Sequence, residues 1–421
     1  MIVKIIPSPL TGKINAISSK SQAHRAFICA ALSQKPSFIE CSEVSSDIES
    51  TIGCLTALGA KINKKNGFYK VFPIEPSEKK AYLDSGESGS TLRFILPVVS
   101  ALGRTAVFSG HGRLPNRPIT PLIEQLNAHG AQISTNFPIE CGGRLRGGHF
   151  RIAGNISSQF ISGLLLASPL LKEKTIIELT TPLESKPYID MTMSVMSLYD
   201  VGVEINDNCY VLSENNGYCA PESIRIEGDW SNAAFWLACG ALEGGGIKCG
   251  NLSQNSLQGD KAVTSILSRF GARVFSENNA ISVFPGELKG IDIDASDIPD
   301  LVPVLSAVAC GASGQTRIYN ASRLRLKESD RLQAVTDALS SLGADITQTS
   351  DGLVIGGTGR LKGGRANAMG DHRIAMSIAV AAVICDAPVI IENAEAVNKS
   401  YPDFYTDYIK LGAIIEQKGL I

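Results

Sequence analysis

The chain has 421 residues, of which 44% are hydrophobic and 19% charged, and its formal net charge is -2. That length exceeds the usual reach of one hydrophobic core and predicts two domains. The near-neutral charge excludes a global attraction to nucleic acid or to an anionic membrane surface, so any anion site has to be built locally. The first apolar stretch, residues 2–6, is interrupted by Lys4, and no segment approaches about 18 uncharged apolar residues, which predicts neither export nor a membrane span. Ten cysteines form no CxxC pair and five histidines are scattered. They predict small buried thiols in a cytoplasmic protein, without a disulfide framework or a metal site.

The first elements predicted in chain order are a strand over 2–6, a helix over 21–32, a strand over 37–41 and a helix over 47–58. A short pattern then follows that closes a helix on glycine and opens a strand, and it recurs at Gly59, Gly130, Gly202, Gly271, Gly343 and Gly412. The intervals are 71, 72, 69, 72 and 69 residues by subtraction, so the chain divides into six repeats. Glycine suits a helix end that needs positive φ. The repeat between Gly271 and Gly343 reads as strands over 273–276, 280–284, 291–295 and 315–320 with helices over 298–310 and 328–342. Reframed, each repeat is βαβαββ, and this alternation favours compact α/β packing with three repeats per domain.

Polar residues concentrate where these helices begin. First helices are predicted to start near Ser21, Gly89, Ser157, Ser231, Ile298 and Asp371, and second helices near Asp47, Arg117, Tyr188, Asp260, Ser329 and Ser400. A helix N-terminus exposes unpaired N–H groups and partial positive charge, which suits phosphate or carboxylate. Any one Ser or Asp there is equally well read as a simple cap. The joint pattern includes basic side chains. Lys20 stands at a helix entrance with Arg25 about one turn inside; Gly86 and Gly89 precede Arg93; and Arg117 stands before Pro118, read here as helix-initiating. Ser157, Ser158 and Gln159 offer two hydroxyls and an amide, and Ser185 and Tyr188 add more hydroxyls. In the second half, Asp300 sits in the first turn of an apolar helix, residues 325–331 mix both signs, and Arg373 enters an almost wholly apolar helix, which suits bidentate recognition of an oxyanion.

With these motifs the chain resembles the 5-enolpyruvylshikimate-3-phosphate synthases, an enolpyruvyl transferase family. SKSQAHRAF, GESGSTLR, GRLPNRPI, SSQFISGLLLA, SKPYIDMT, DIPDLVPVL, RLKESDRL, GDHRIAM and Lys399 before YPDF occur in the family's order along essentially the full length. The resemblance implies an α/β (α+β) fold of two similar domains, each of three βαβαββ units, with an inter-domain cleft. The implied domains are 19–226 and 1–18 plus 227–421.

It further implies that shikimate 3-phosphate is held by Lys20, Ser21, Arg25, Ser157, Ser158, Gln159, Ser185, Tyr188, Asp300 and Lys327. Phosphoenolpyruvate would lie against Lys20, Gly89, Arg117, Gln159, Arg331, Arg373 and Lys399. The implied catalytic groups are Asp300 as base toward the 5-hydroxyl, and Glu328 and Lys20 for proton transfer at the methylene carbon. No metal or other cofactor is implied, nor any nucleic-acid or membrane partner. A cytoplasmic monomer in aromatic amino-acid biosynthesis, and a target of glyphosate, is the expectation. Two departures stand out, Glu87 and Arg323, each at a place where the family often has asparagine.

Two rivals are weighed beside this reading. A UDP-N-acetylglucosamine enolpyruvyl transferase would carry a cysteine just before an Arg-Pro pair, which GHGRLPNRP lacks. A non-catalytic anion-binding protein would leave Asp300, Glu328 and Lys20 unexplained, and for RNA the chain lacks a basic and aromatic stripe.

Overall fold

The computed structural model describes residues 1–213 and 217–418. Twelve α-helices are found among them: α1 Lys20–Ala31, α2 Ser46–Ala57, α3 Gly89–Ala101, α4 Thr120–Ala128, α5 Ser158–Ala167, α6 Lys186–Leu198, α7 Trp230–Leu242, α8 Val263–Phe270, α9 Val302–Cys310, α10 Arg331–Ser341, α11 His372–Ala382 and α12 Phe404–Lys410. The chain forms two compact units, one of Ser18–Ile226 and one of Met1–Ile17 with Glu227–Ile421.

Each unit holds three four-stranded sheets, and every sheet repeats one plan. In the sheet of Ala81–Asp84, Ala106–Ser109, Ala131–Ile133 and Ile139–Gly143, the first two strands run parallel and α3 makes the crossover between them. The fourth strand pairs antiparallel with both the second and the third. Buried and exposed residues alternate along these strands, so each sheet turns one face inward. The first helices pack on one another, α1, α3 and α5 in one unit and α7, α9 and α11 in the other. They are buried almost all round, α11 over its whole length. Apolar faces on every side leave their polar starts as the natural place for chemistry.

Three sheets are completed by distant strands, which corrects the expected content of the first repeat. The strand Ile2–Ile6 pairs antiparallel with Val389–Glu392 and Ile414–Lys418, taking the fourth place in the last sheet. The first place beside Ser37–Glu40 goes to Ser223–Arg225. The strand Thr11–Asn15 runs parallel to Gly246–Gly250 and opens the sheet of the fourth repeat.

A second correction concerns the closing glycines. Gly59, Gly130, Gly271, Gly343 and Gly412 all have positive φ, but Gly202 does not. At that end Asp200 takes the left-handed conformation, with φ 60°. Asp200 N–H bonds Ser197 O and Val201 N–H bonds Met196 O, as Gly59 and Ala60 bond Thr56 and Leu55. Aspartate tolerates this conformation better than most residues. The cysteines are all free thiols, eight of them buried, while Cys209 is half-buried and Cys219 exposed. Among the described residues no helix is long and apolar enough to cross a membrane.

Candidate active site

Five of the six first helices carry a side-chain cap of the kind the sequence suggests. Ser19, Ser88, Ser157, Asp229 and Asp371 accept from the backbone N–H of Gln22, Thr91, Gln159, Asn232 and Arg373. The exception is α9, which begins after a 3-10 turn, Pro299–Leu301, with no side-chain cap. Asp300, in that turn, turns its carboxylate to cationic side chains instead.

In the unit of Ser18–Ile226 the starts of α1, α3, α5 and α6 meet. Lys20 Nζ lies 2.7 Å from Asp47 Oδ2, both largely sheltered. Arg25 is 2% exposed and stacks over Phe94, 4.8 Å from its ring centre. It donates to Thr192 Oγ1, Ser21 O, Tyr188 O and Ser162 Oγ, all of them neutral oxygens. Burial pushes its pKa down to about 10. Arg93 donates to Gln159 Oε1 at 2.7 Å and to Pro118 O, and Gln159 donates to Ser90 Oγ at 2.8 Å. Gly89 lies against two guanidiniums: a Cβ there would stand 2.8 Å from Nη1 of both Arg117 and Arg93. Ser158 is buried, and Ser185, N-cap of α6, holds positive φ. A buried chain of side chains, His24 Nδ1 to Thr51 to Thr91 to Ser88, ties the starts of α1 and α3 together. Burial, then Lys20 and Arg25, hold the His24 imidazole neutral.

The other unit gathers the opposite mixture. Arg331, 2% exposed, pairs with three carboxylates: Asp300 at 2.8 Å, Glu328 at 2.6 Å and Asp371 at 2.8 Å. Burial opposes its charge, but Asp371, Glu328 and Asp300 raise its pKa above the ordinary value. Asp300 also binds Arg373 at 3.1 Å and lies 3.8 Å from Lys327. Burial alone would push the Asp300 carboxyl up, yet Arg373, Lys327 and Arg331 hold it well below the usual carboxylate range. Burial pushes Lys327 down to about 8, against the attraction of Asp300. Lys399 donates to Gly370 O at 2.6 Å, just before the Asp371 cap of α11.

Several expected placements change. Arg117 does not precede a helix-initiating proline: it follows the 3-10 turn Leu114–Asn116 in extended backbone, and α4 starts at Thr120. The helix expected over 328–342 starts at Arg331, capped by Asp330, so Lys327 and Glu328 lie ahead of it. Glu87 lies against Gly112, and Arg323 is folded onto Ser296 O. The site reading passed over Arg93, Asp47 and Asp371 as members. Arg93 carried a usable signal, an arginine entering an apolar helix, as Arg373 does. Among the described residues no group of His, Cys, Asp and Glu is suited to a metal ion.

These clusters set sheltered cations beside carboxylates, an arrangement that can hold anions and exchange protons. Known proteins resemble the chain along nearly its whole length. The family model described as EPSP synthase (3-phosphoshikimate 1-carboxyvinyltransferase) matches residues 5–407. The 3-phosphoshikimate 1-carboxyvinyltransferase of Clostridium acetobutylicum is 42% identical over 99% of both chains, and that of Clostridioides difficile 41% identical over 99% of this chain and 98% of its own. A structure of EPSP synthase from Acinetobacter baumannii superposes with TM-score 0.84 at 26% identity, covering 100% of both chains. The enolpyruvyl transferase NikO from Streptomyces tendae shares the fold, with TM-score 0.80 at 18% identity over 99% of this chain and 98% of that one. Matched over nearly its full length in sequence and in fold, the chain belongs to the EPSP synthase family, the 3-phosphoshikimate 1-carboxyvinyltransferases.

Proposed function

We propose that this chain transfers the enolpyruvyl group of phosphoenolpyruvate to the 5-hydroxyl of shikimate 3-phosphate, releasing phosphate in the shikimate pathway, with the residue roles that follow. In the unit of Ser18–Ile226, Ser21, Arg25, Ser157, Ser158, Ser185 and Tyr188 bind shikimate 3-phosphate. Lys20 and Gln159 serve both substrates, and Gly89 and Arg117 face phosphoenolpyruvate. In the other unit, Asp300 and Lys327 bind shikimate 3-phosphate, and Arg331, Arg373 and Lys399 bind phosphoenolpyruvate. The observation that carries these roles is the burial of Arg25, Arg331 and Arg373 within the first two turns of α1, α10 and α11. Arg331 and Arg373 already meet protein carboxylates, whereas Arg25 meets only neutral oxygens and, buried so, favours an arriving oxyanion; the two substrates together bring two phosphates and two carboxylates.

In the reaction the 5-hydroxyl attacks the central carbon of phosphoenolpyruvate while a proton reaches its methylene carbon. Asp300 takes the hydroxyl proton, and Glu328 or Lys20 supplies the one to carbon. The tetrahedral adduct then expels phosphate and loses a methyl proton, so protons balance between these groups and the two substrates alone. Asp300 paired to Arg331, Arg373 and Lys327 is a weak base. Anionic substrates drawing those cations away raise its basicity when the hydroxyl arrives. The same reading makes the enzyme a cytoplasmic monomer, and ten free thiols suit a reducing compartment.

Purified protein given both substrates should release phosphate in step with formation of the enol ether, and none with either substrate alone. Release with UDP-N-acetylglucosamine in place of shikimate 3-phosphate, or no release at all, would reject the assignment.

A further inference from the structure

Beside the site lies a carboxyl group with no role in the chemistry above. Gln258-Gly259-Asp260-Lys261 enters a 3-10 turn, Gly259–Ala262, just before α8. An acid at such a place ordinarily faces water and favours the helix dipole, but Asp260 is 3% exposed. Ser231, in the first turn of α7, donates a hydrogen bond to its Oδ2. Its Oδ1 is buried and has no hydrogen-bond partner among the described residues. A knot of neighbours fixes the turn. Gln258 Oε1 accepts from Trp230 N–H, and Gln258 Nε2 donates to Gly228 O and Glu227 Oε1, which also accepts from Ser256. Lys261 points away, onto the carbonyls of Gln254 and Ser256. Helix α7 packs against the turn Gly259–Ala262 that carries Asp260, against the turn Pro299–Leu301 that carries Asp300 and against α11, which carries Arg373, so the charged groups that act on Asp260 are Asp300, Arg373 and Asp229 at the cap of α7.

We propose that Asp260 is a positioning residue for this reaction: Ser231 holds its carboxyl group close enough to Asp300 and Arg373 for its charge to govern how readily Asp300 takes up the substrate proton. A charged Asp260 repels the charge on Asp300 and competes for Arg373, so it strengthens Asp300 as a base; a neutral Asp260 leaves Asp300 to its cations. The half-satisfied, buried carboxyl is suited to switching between the two forms, because neither is fully solvated. Burial first, and Asp300 second, push its pKa up to about 7, against the pull of Arg373 and Ser231.

The inference rests on Asp300 acting as the base. The test is the dependence of kcat on pH between about 6 and about 9, measured at saturating substrates. The wild type should rise through an inflection near neutrality. Asp260→Asn should lose that inflection, match the wild type at the acid end and fall about three- to tenfold below it at the alkaline end. Asp260→Glu should restore the rise. Ser231→Ala should move the inflection to higher pH, since the hydroxyl favours the charged form, and it serves equally if Asp260→Asn does not fold. A uniform loss across the range, or a wild-type profile in both variants, overturns the inference. Asp300→Asn separates the two levels: full turnover in that variant rejects the base itself, whereas an inactive Asp300→Asn beside a wild-type Asp260→Asn profile rejects only the role of Asp260.

Discussion

Arg25 and Arg331 are buried to the same degree, each 2% exposed, yet their surroundings are electrostatic opposites. Arg25 meets two hydroxyls, two carbonyls and an aromatic face, and burial lowers its pKa. Arg331 meets three carboxylates, which overcome burial and raise it. Burial alone therefore does not decide how a guanidinium behaves. The first arrangement orients a cation whose charge is met by dipoles only, so an arriving oxyanion binds without displacing a protein anion. The second must share its cation, and that sharing ties the basicity of Asp300 to what is bound.

The sharpest test of this contrast is stability. Arg331→Leu should cost about 3–5 kcal/mol in urea unfolding, because it strands Asp300, Glu328 and Asp371 without their common partner. Arg25→Met should cost no more than about 1–2 kcal/mol, since it strands only neutral groups. It should instead weaken shikimate 3-phosphate binding about a hundredfold by calorimetry. Equal losses of stability would break the comparison. Next in size, Asp300→Asn keeps much of the shape and removes the base, so turnover should fall roughly a hundredfold or more with most substrate binding retained; a nearly full kcat would refute the role.

A smaller effect is expected at Gly89. In Gly89→Ala the new methyl presses on the guanidinium ends of Arg117 and Arg93 rather than on backbone, so both can shift. Phosphoenolpyruvate KM should rise about tenfold, with shikimate 3-phosphate affinity and melting temperature nearly unchanged. A KM equal to the wild type would show that those guanidiniums do not face this substrate. The mildest effect concerns Lys327. Because its folded pKa is lowered to about 8, it loses charge as pH rises past that value, well before an exposed lysine would. Shikimate 3-phosphate affinity should therefore drop about three- to tenfold between about pH 7 and about pH 9, and Lys327→Met should abolish that slope.

Local signals made the repeat and most of the helix starts legible, since a cap, a glycine turn and an apolar face each leave a trace within a few residues. The third repeat misled because Asp200 does the work of glycine two positions before Gly202, and only backbone geometry distinguishes them. Arg117 misled because a proline suits a helix start and an extended turn equally well. Pairings that lie far apart in sequence left no trace. Nothing in RLKESDRL says that Arg331 bonds Asp371, 40 positions later, or that Lys20 finds Asp47. Nor does the alternation of residues 2–6 name its partners, because a strand advertises its faces and not its neighbours.

That last strand sets an order on synthesis. Lys4 and Glu416, paired across the last sheet, are 412 positions apart, so the strand Ile2–Ile6 leaves the ribosome long before its partners exist. The unit of Ser18–Ile226 has no such wait, because its own strand Ser223–Arg225 completes the sheet beside Ser37–Glu40. It can fold while the rest of the chain is still being made, whereas the strands Ile2–Ile6 and Thr11–Asn15 remain unpaired edges until residues 246–250, 389–392 and 414–418 emerge. These early strands are thus among the last to be folded, and Lys4 interrupts the apolar run of Ile2–Ile6 during that interval.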